Sequence, residues 1–428
     1  MPGLLKTLVF KLQQMPNECR WACADDALLK SIAKGQPVQR GSNGRRLSGL
    51  TRAASRVGLE WQLLWLVGFV ELVGLLRRQR NGAGLARRES AALPARFFIG
   101  FGAGSEEQLF SRYCAGHGGP VARLDQTNPA SFAQFGRVGL VQGLHSLAFA
   151  CSAARRAIAA LPAELVPWRN DFLVHIGIGI AHFAYMRAWC CLLRNNKALQ
   201  LQELAFAAAD TNAFAAAAMK LPIAYLQHGL IFHLVLPDFA RIEALTKDEA
   251  DYFKRALPQA AISFSRQYPV LPVSQLKGPV LLASIYFEEA YLQLVLPLLQ
   301  WARDNGIPVV VRPHPREKPG FWSTLKDQYG LTIESPADGF PETIARLRPR
   351  LVVSWFSTVL ADSLQQGVIP VSVCADDDPA VAAMVYPLFK RCLRWSHDAV
   401  LIDRLMKDDE LYSTVLARLS ASPGEQCQ

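Results

Sequence analysis

The stretch from Gly306 to Lys318 reads GIPVVVRPHPREK, an apolar β-branched run that stops at a histidine set between two prolines. Proline fixes its own φ and keeps the preceding residue out of the helical region, so the backbone on both sides of His314 is stiff. An imidazole held that way can donate to an anionic oxygen, and Arg312 and Arg316 add positive potential beside it. A second stretch, VVSWFSTVLADSL, puts Ser354, Ser357 and Thr358 where a strand gives way to a helix. Hydroxyls and free backbone N–H groups at such a junction suit a phosphate, although Ser357 could equally serve as an ordinary helix cap. Two further groups could act as bases. His228 follows an apolar run in YLQHGLI, with Gly229 allowing a tight turn, and Asp210 follows another in AAADTNAF, where it could also cap the alanine-rich helix. A rigid histidine, hydroxyls and arginines would steady a departing phosphate, while a histidine or carboxylate takes a proton.

All of these residues come just after strand-like runs, and in parallel α/β sheets ligands sit outside the carboxyl ends of the strands. The chain alternates accordingly. ARFFIGFGAGSEE reads as strand, glycine turn and acidic helix start at Ser105, Glu106 and Glu107. RVGLVQGL and DFLVHIGIG have strand length, and PIAYLQHG ends the first series. After a proline-rich, aperiodic stretch the rhythm restarts with five strands between Val280 and Cys374, one helix stopping at Asn305-Gly306. The expected organisation is a helical basic extension (1–93), a first Rossmann-like lobe bearing the base (94–265), a linker (266–279), a second Rossmann-like lobe for the donor nucleotide (280–405), and a closing helix and tail (406–428). A cleft between the two lobes is the expected site.

PIAYLQHGLI, VVVRPHPRE and LVVSWFSTVLADSLQQGVIPV, in that order, resemble the bacterial cell-surface glycan transferases of GT-B fold. The His-Pro element followed by a Ser/Thr junction is similar to sialyltransferases, polysialyltransferases and capsule Kdo transferases. The Gln-His-Gly element resembles the Trp-His-Gly of teichoic-acid glycerophosphotransferases. The resemblance spans roughly residues 95–405. It implies that His314, Ser357 and Thr358 hold the donor phosphate, and the polymerase-type base matches His228; by position Arg312 and Ser354 join the phosphate-binding set, and the base stays open between His228 and Asp210. The acidic–acidic–Gly base motif of the sialyltransferases is absent from the first lobe, where Asp210-Thr211-Asn212 is a loose substitute. The activity implied is transfer of a sugar from a nucleotide donor, CMP- or CDP-linked by preference, to a glycan or lipid-linked glycan, with neither metal nor cofactor.

Residues 1–96 carry sixteen Lys and Arg against six Asp and Glu, so the whole net charge of +10 of this 428-residue chain lies there. A basic region without interleaved aromatic stacking platforms favours anionic lipid over nucleic acid. WQLLWLVGFVELVGLLRRQR, Trp61 to Arg80, is short for a membrane span and interrupted by Glu71. Tryptophans at one end and arginines at the other suit a helix lying in the inner-membrane interface, and a buried helix is the alternative. Nine irregularly spaced cysteines suggest neither a disulfide framework nor a zinc site, as expected of a cytoplasmic protein. Asp376 to Asp378 could suggest a metal site but reads as a solvated loop. Two other readings stay open: a nucleotide-sugar epimerase using the same cleft, and a non-catalytic component of glycan assembly or export.

Overall fold

A computed structural model of the chain describes residues 2–34, 38, 42–82, 94–101, 106–227, 229, 234–264, 268–284, 288–314, 317, 320–335, 339–355, 357–373 and 391–421. The chain divides into two compact units: Met1–His228 with Phe232–Ala244 and Tyr252–Ser263, and Gly229–Ile231 with Leu245–Asp251 and Phe264–Gln428.

The first series begins with five helices: α1 (Pro2–Gln13), α2 (Asn17–Arg20), α3 (Asp26–Lys34), α4 (Ser42–Arg56) and α5 (Glu60–Gly82). There follow β1 (Arg96–Gly100), α6 (Glu107–Ala115), β2 (Val121–Asp125), α7 (Pro129–Ala133), α8 (Leu140–Ala159) and α9 (Arg169–Asn195). The series closes with β3 (Glu203–Phe206), α10 (Thr211–Ala218), β4 (Ile223–Leu226), β5 (Arg241–Ala244), α11 (Lys247–Ala256) and β6 (Ala261–Phe264). The sheet has the order β2-β1-β3-β4-β5-β6, with parallel pairing from β2 through β5.

RVGLVQGL and DFLVHIGIG are not strands; they lie largely within α8 and α9. A short apolar run does not reveal its period, and α9 is buried on so many sides that its pattern is nearly continuous. Trp189 shows why: its ring meets Phe97 and Phe132 edge-on at 5.8 and 4.9 Å, and its Nε1 donates to Phe132 O at 3.1 Å. Each such aromatic pair adds about 0.5–1.5 kcal/mol beyond area burial. Conversely β2, β5 and β6 went unread because they are short and carry Arg123, Arg241 and Ser263.

The N-terminal helices are not a separate extension. Trp21 is buried and stacks on Phe183 at 4.6 Å. Buried Arg20 donates from Nη1 to Leu236 O and Asp238 Oδ1, both at 2.7 Å. These contacts bind the basic segment into unit 1.

Unit 2 contains β7 (Gly278–Ala283), α12 (Glu288–Asp304), β8 (Val309–Arg312), α13 (Ser323–Tyr329), β9 (Thr332–Ile333) and α14 (Phe340–Leu347). It continues through β10 (Pro349–Ser354), α15 (Val359–Gln365), β11 (Ile369–Ser372), β12 (Leu393–Arg394), α16 (Trp395–Leu405) and α17 (Asp409–Ser420). The order is β12-β11-β10-β7-β8-β9, all parallel. Counted from β7, that is 3-2-1-4-5-6, the order of dinucleotide-binding sheets. Gly306, at φ +64°, turns the chain after α12 as its position predicts.

The proline-rich stretch before β7 packs rather than links: Leu271 N donates to Gln366 O at 2.8 Å and Leu276 is fully buried. The closing helix is likewise part of the unit. Buried Tyr412 accepts from Ile369 N at 3.0 Å and lies under the Arg350 guanidinium. Two successive parallel α/β units with Rossmann-like sheets fit the GT-B class that the sequence suggests.

Candidate functional site

In unit 2 the strand order reverses between β7 and β10, and at such a switch point the connections leave on opposite faces and open a crevice at the carboxyl edge. The residues singled out in the sequence cluster on that edge. Arg312 ends β8 and His314 lies two residues beyond it, while Ser354 ends β10 and Ser357 and Thr358 follow it; Ser284, which the sequence reading passed over, follows β7.

Side chains bridge the strand ends. The hydroxyl of fully buried Ser354 donates to Ala283 O at 2.8 Å, tying β10 to β7 across the switch point. Its proton is thus committed to the sheet in this structure. The Ser284 hydroxyl donates to Glu317 Oε1, and Glu317 Oε2 accepts from His314 N at 3.0 Å and from Trp322 Nε1 at 3.3 Å. Glu317 N in turn donates to His314 O at 2.9 Å. The proline clamp is therefore completed by a carboxylate three residues after the histidine, which holds the His314 backbone against the end of β7. Glu317 was overlooked in the sequence, where the only hint is its place three residues on in RPHPRE.

Arg312 takes a structural position as well. Its Nη1 donates to Gly339 O at 3.3 Å and to Thr343 Oγ1, and the guanidinium lies 5.7 Å over Phe340, so it braces the start of α14. Ser357 and Thr358 are half-buried at the turn into α15. Thr358 occupies the cap position without a side-chain cap hydrogen bond, and the Ser357 hydroxyl accepts weakly from Val359 N at 3.5 Å. The capping alternative is therefore only lightly used.

In unit 1 the switch point lies between β1 and β3. Asp210, past the end of β3, caps α10: its Oδ1 accepts from Asn212 N at 2.9 Å and Ala213 N at 3.3 Å. At the end of β1 the fully buried Glu106 accepts from Phe101 N through both oxygens, at 3.0 and 2.8 Å. Its carboxylate fills the space a Cβ on residue 100 would need, which is why Gly100 ends the strand. Glu106 occupies the cap position of α6, and Ser105 lies outside the described residues. His228 also lies outside them, as does the run from Asp376 to Asp378. Among the described residues no group of three or more His, Cys, Asp or Glu side chains could hold a metal.

His182 is a second titratable residue that escaped the sequence reading. Midway along α9, it is close enough to Glu71 and Asp210 to feel both carboxylates. Burial nevertheless lowers its pKa, helped by Arg78, and the carboxylates only partly oppose this. Its neutral form is thus favoured beside Asp210 at neutral pH. It carries no local signal, since it sits inside the apolar run IGIAHFAY.

At the opposite edge of the same sheet the charges are structural. Glu203 accepts from Arg241 Nη2 and from Tyr113 Oη, both at 2.7 Å. Burial pushes its carboxyl up, but the bonds from Arg241 and Tyr113 prevail and hold it below its ordinary value.

No protein-family model matches the chain, and no curated protein matches it. Among solved structures, the UDP-GlcNAc 2-epimerase from Neisseria meningitidis, bound to UDP-GlcNAc, is similar at a TM-score of 0.42 and 11% identity, over 75% of this chain and 93% of its own. UGT2 of Phytolacca americana, complexed with UDP-2-fluoro-glucose and pterostilbene, is similar at 0.40 and 11% identity, over 77% and 94%. MurG of Acinetobacter baumannii is similar at 0.36 and 10% identity, over 76% and 94%.

Proposed function

We propose that this chain is a metal-independent glycosyltransferase of surface-glycan synthesis, of the capsule or lipopolysaccharide kind. In this reading unit 2 holds a nucleotide-sugar donor, CMP- or CDP-linked by preference, and unit 1 supplies the base that activates a hydroxyl of a glycan acceptor. The observation that carries the reading is the carboxyl edge of the second sheet. There a 3-2-1-4-5-6 order brings the proline-clamped His314 and the lightly used Ser357 and Thr358 to the strand ends around one switch point.

The chemistry follows from those groups. Asp210 or His228 takes the proton of the acceptor hydroxyl, and the oxygen attacks the anomeric carbon. The bond from that carbon to the phosphate oxygen breaks, and the nucleotide leaves with the electron pair. His314, Ser357 and Thr358 donate hydrogen bonds to the phosphate oxygens as the charge grows, which lowers the barrier because these bonds strengthen toward the transition state. Glu317 and Ser284 keep the His314 backbone in place.

The test is a thermal-shift screen of the full chain against CMP-, CDP- and UDP-linked sugars, followed by product analysis. One donor class should raise the melting temperature, and His314→Ala should lose that shift. A charge-assisted hydrogen bond contributes about 1.5–3 kcal/mol, or roughly ten- to a hundredfold in affinity. Elongated glycan supports transfer; free epimerised sugar would convert the reading to an epimerase. Binding of no donor would leave a non-catalytic role in glycan assembly or export, and loss of activity in EDTA with rescue by manganese would overturn metal independence.

A further inference from the structure

Helix α5 has two contrasting faces. Glu60, Leu64, Gly68, Leu72, Leu75 and Gln79 form its buried stripe. At Gly68 the neighbours come so close that a Cβ would lie 2.8 Å from Leu147 of α8 and 2.9 Å from Ile180 of α9. The outer face carries Trp65, Leu66 and Val70, exposed at 41, 54 and 62%. Trp65 stacks on Phe69 at 5.4 Å with the rings 4° apart, and Val57 and Leu59 extend the apolar strip into the turn before the helix. Beside it a hollow of about 500 Å³ is lined by Trp61, Trp65, Cys151 and Arg155.

The charge around this strip is mostly positive, with exposed Glu71 the one acid on the outer face of α5. Helices α4, α5 and α8 together carry nine arginines and two glutamates. One glutamate, Glu60, is buried and paired with Arg169 at 2.6 Å. Arg52 and Arg56 are exposed before the apolar strip, and Arg77, Arg78 and Arg80 after it. A second copy of the same face would bring arginine against arginine. An anionic lipid surface satisfies both features at once, because apolar and tryptophan side chains enter the headgroup boundary while arginines meet lipid phosphates. A membrane-crossing role does not fit α5. Among the described residues the only stretch long and apolar enough to cross is Ala163–Asn195, whose apolar window is 72% buried inside the protein.

We infer that the outer face of α4 and α5 docks unit 1 on an anionic bilayer, with Trp65, Leu66 and Val70 in the interface and Arg52, Arg56, Arg77 and Arg78 on the phosphates. This inference stands apart from whatever unit 2 binds. It is tested by co-sedimenting the full chain with vesicles of phosphatidylcholine alone and of equal parts phosphatidylcholine and phosphatidylglycerol, at low and high salt. Binding should require phosphatidylglycerol and weaken with salt. The combined variant Trp65→Ser, Leu66→Ser, Val70→Ser should bind at least about tenfold more weakly, as should Arg77→Gln with Arg78→Gln. Both sets replace exposed side chains, and an unchanged melting temperature verifies that they fold. The inference is overturned by failure to sediment with either vesicle, by equal binding to both, or by binding that neither variant weakens. It is also overturned by light scattering that shows a dimer which the serine variant dissolves.

Discussion

At the carboxyl edge of unit 2, side chains run from strand to strand: Ser354 joins β10 to β7, and Ser284 with Glu317 joins β7 to the His314 turn after β8. At the same edge of unit 1, carboxylates serve their own neighbourhoods. Glu106 holds the end of β1 to the start of α6, and Asp210 caps α10. The first arrangement fixes distances between strands, as a bound anion requires. The second ties carboxylates to the backbone next to the strand ends, and one of them, Asp210, acts electrostatically on His182. Under the proposed function, holding falls to one sheet and proton chemistry to the other, and substitutions can separate the two.

The sharpest break is at Asp210. Asparagine caps a helix as well as aspartate, whereas alanine costs about 1 kcal/mol. If Asp210 is the base, Asp210→Asn should leave the melting temperature unchanged while turnover falls by about 10²–10⁴. If it is only a cap, Asp210→Asn should be fully active and Asp210→Ala merely less stable. The next effect is at Glu317. Glu317→Ala strands three donors on the unit 2 edge and should cost about 3 kcal/mol in denaturant unfolding, with weaker donor binding. Unaltered donor affinity would show that the tie between β7 and β8 does not position His314 for ligand.

A smaller effect concerns the amino edge of the first sheet. Glu203 has a folded pKa below its unfolded value of about 4.3. Its contribution is complete above that value and is lost as pH falls through the lower folded one. The melting-temperature advantage of wild type over Glu203→Gln should therefore be full at neutral pH and shrink below about pH 4. An advantage that persists undiminished into stronger acid would refute the ion-pair account. The smallest effect is Ser354→Ala, about 1 kcal/mol in stability with donor affinity intact. A tenfold loss of donor affinity instead would return Ser354 to the phosphate.

What could be read from the sequence followed burial geometry. β8 and β10 are flanked by strands on both sides, so they are continuous apolar runs, and the residues just past them announce the edge. Unit 1 hid its organisation because α9 lies in the interior, where a helix loses its polar stripe and resembles a strand over eight or nine residues, and because the apolar run at the start of α8 is too short to show its period. Asp210 was visible as a helix start. Glu106 was seen only as first-turn charge, because its reach back to Phe101 N depends on the missing Cβ at Gly100. His182 and Glu317 act through partners that folding brings together, and spacing alone does not announce such pairs. The arginines near the start and end of α5 were visible in the sequence. That its tryptophan face remains uncovered could not be seen before the helix was laid on α8 and α9.

The pairing of β1 with β3 sets Arg96 opposite Glu203, with the whole of α6 to α9 intervening. During synthesis the first strand must wait for the third, and α9 is complete before α10, which packs against it, exists. At ribosomal speeds that interval is on the order of seconds. Throughout it the nascent chain displays a helix as greasy as a transmembrane segment. Expression of this protein should accordingly depend on chaperone capacity and on growth temperature, and its yield should be limited at that stage of translation rather than by the stability of the finished fold.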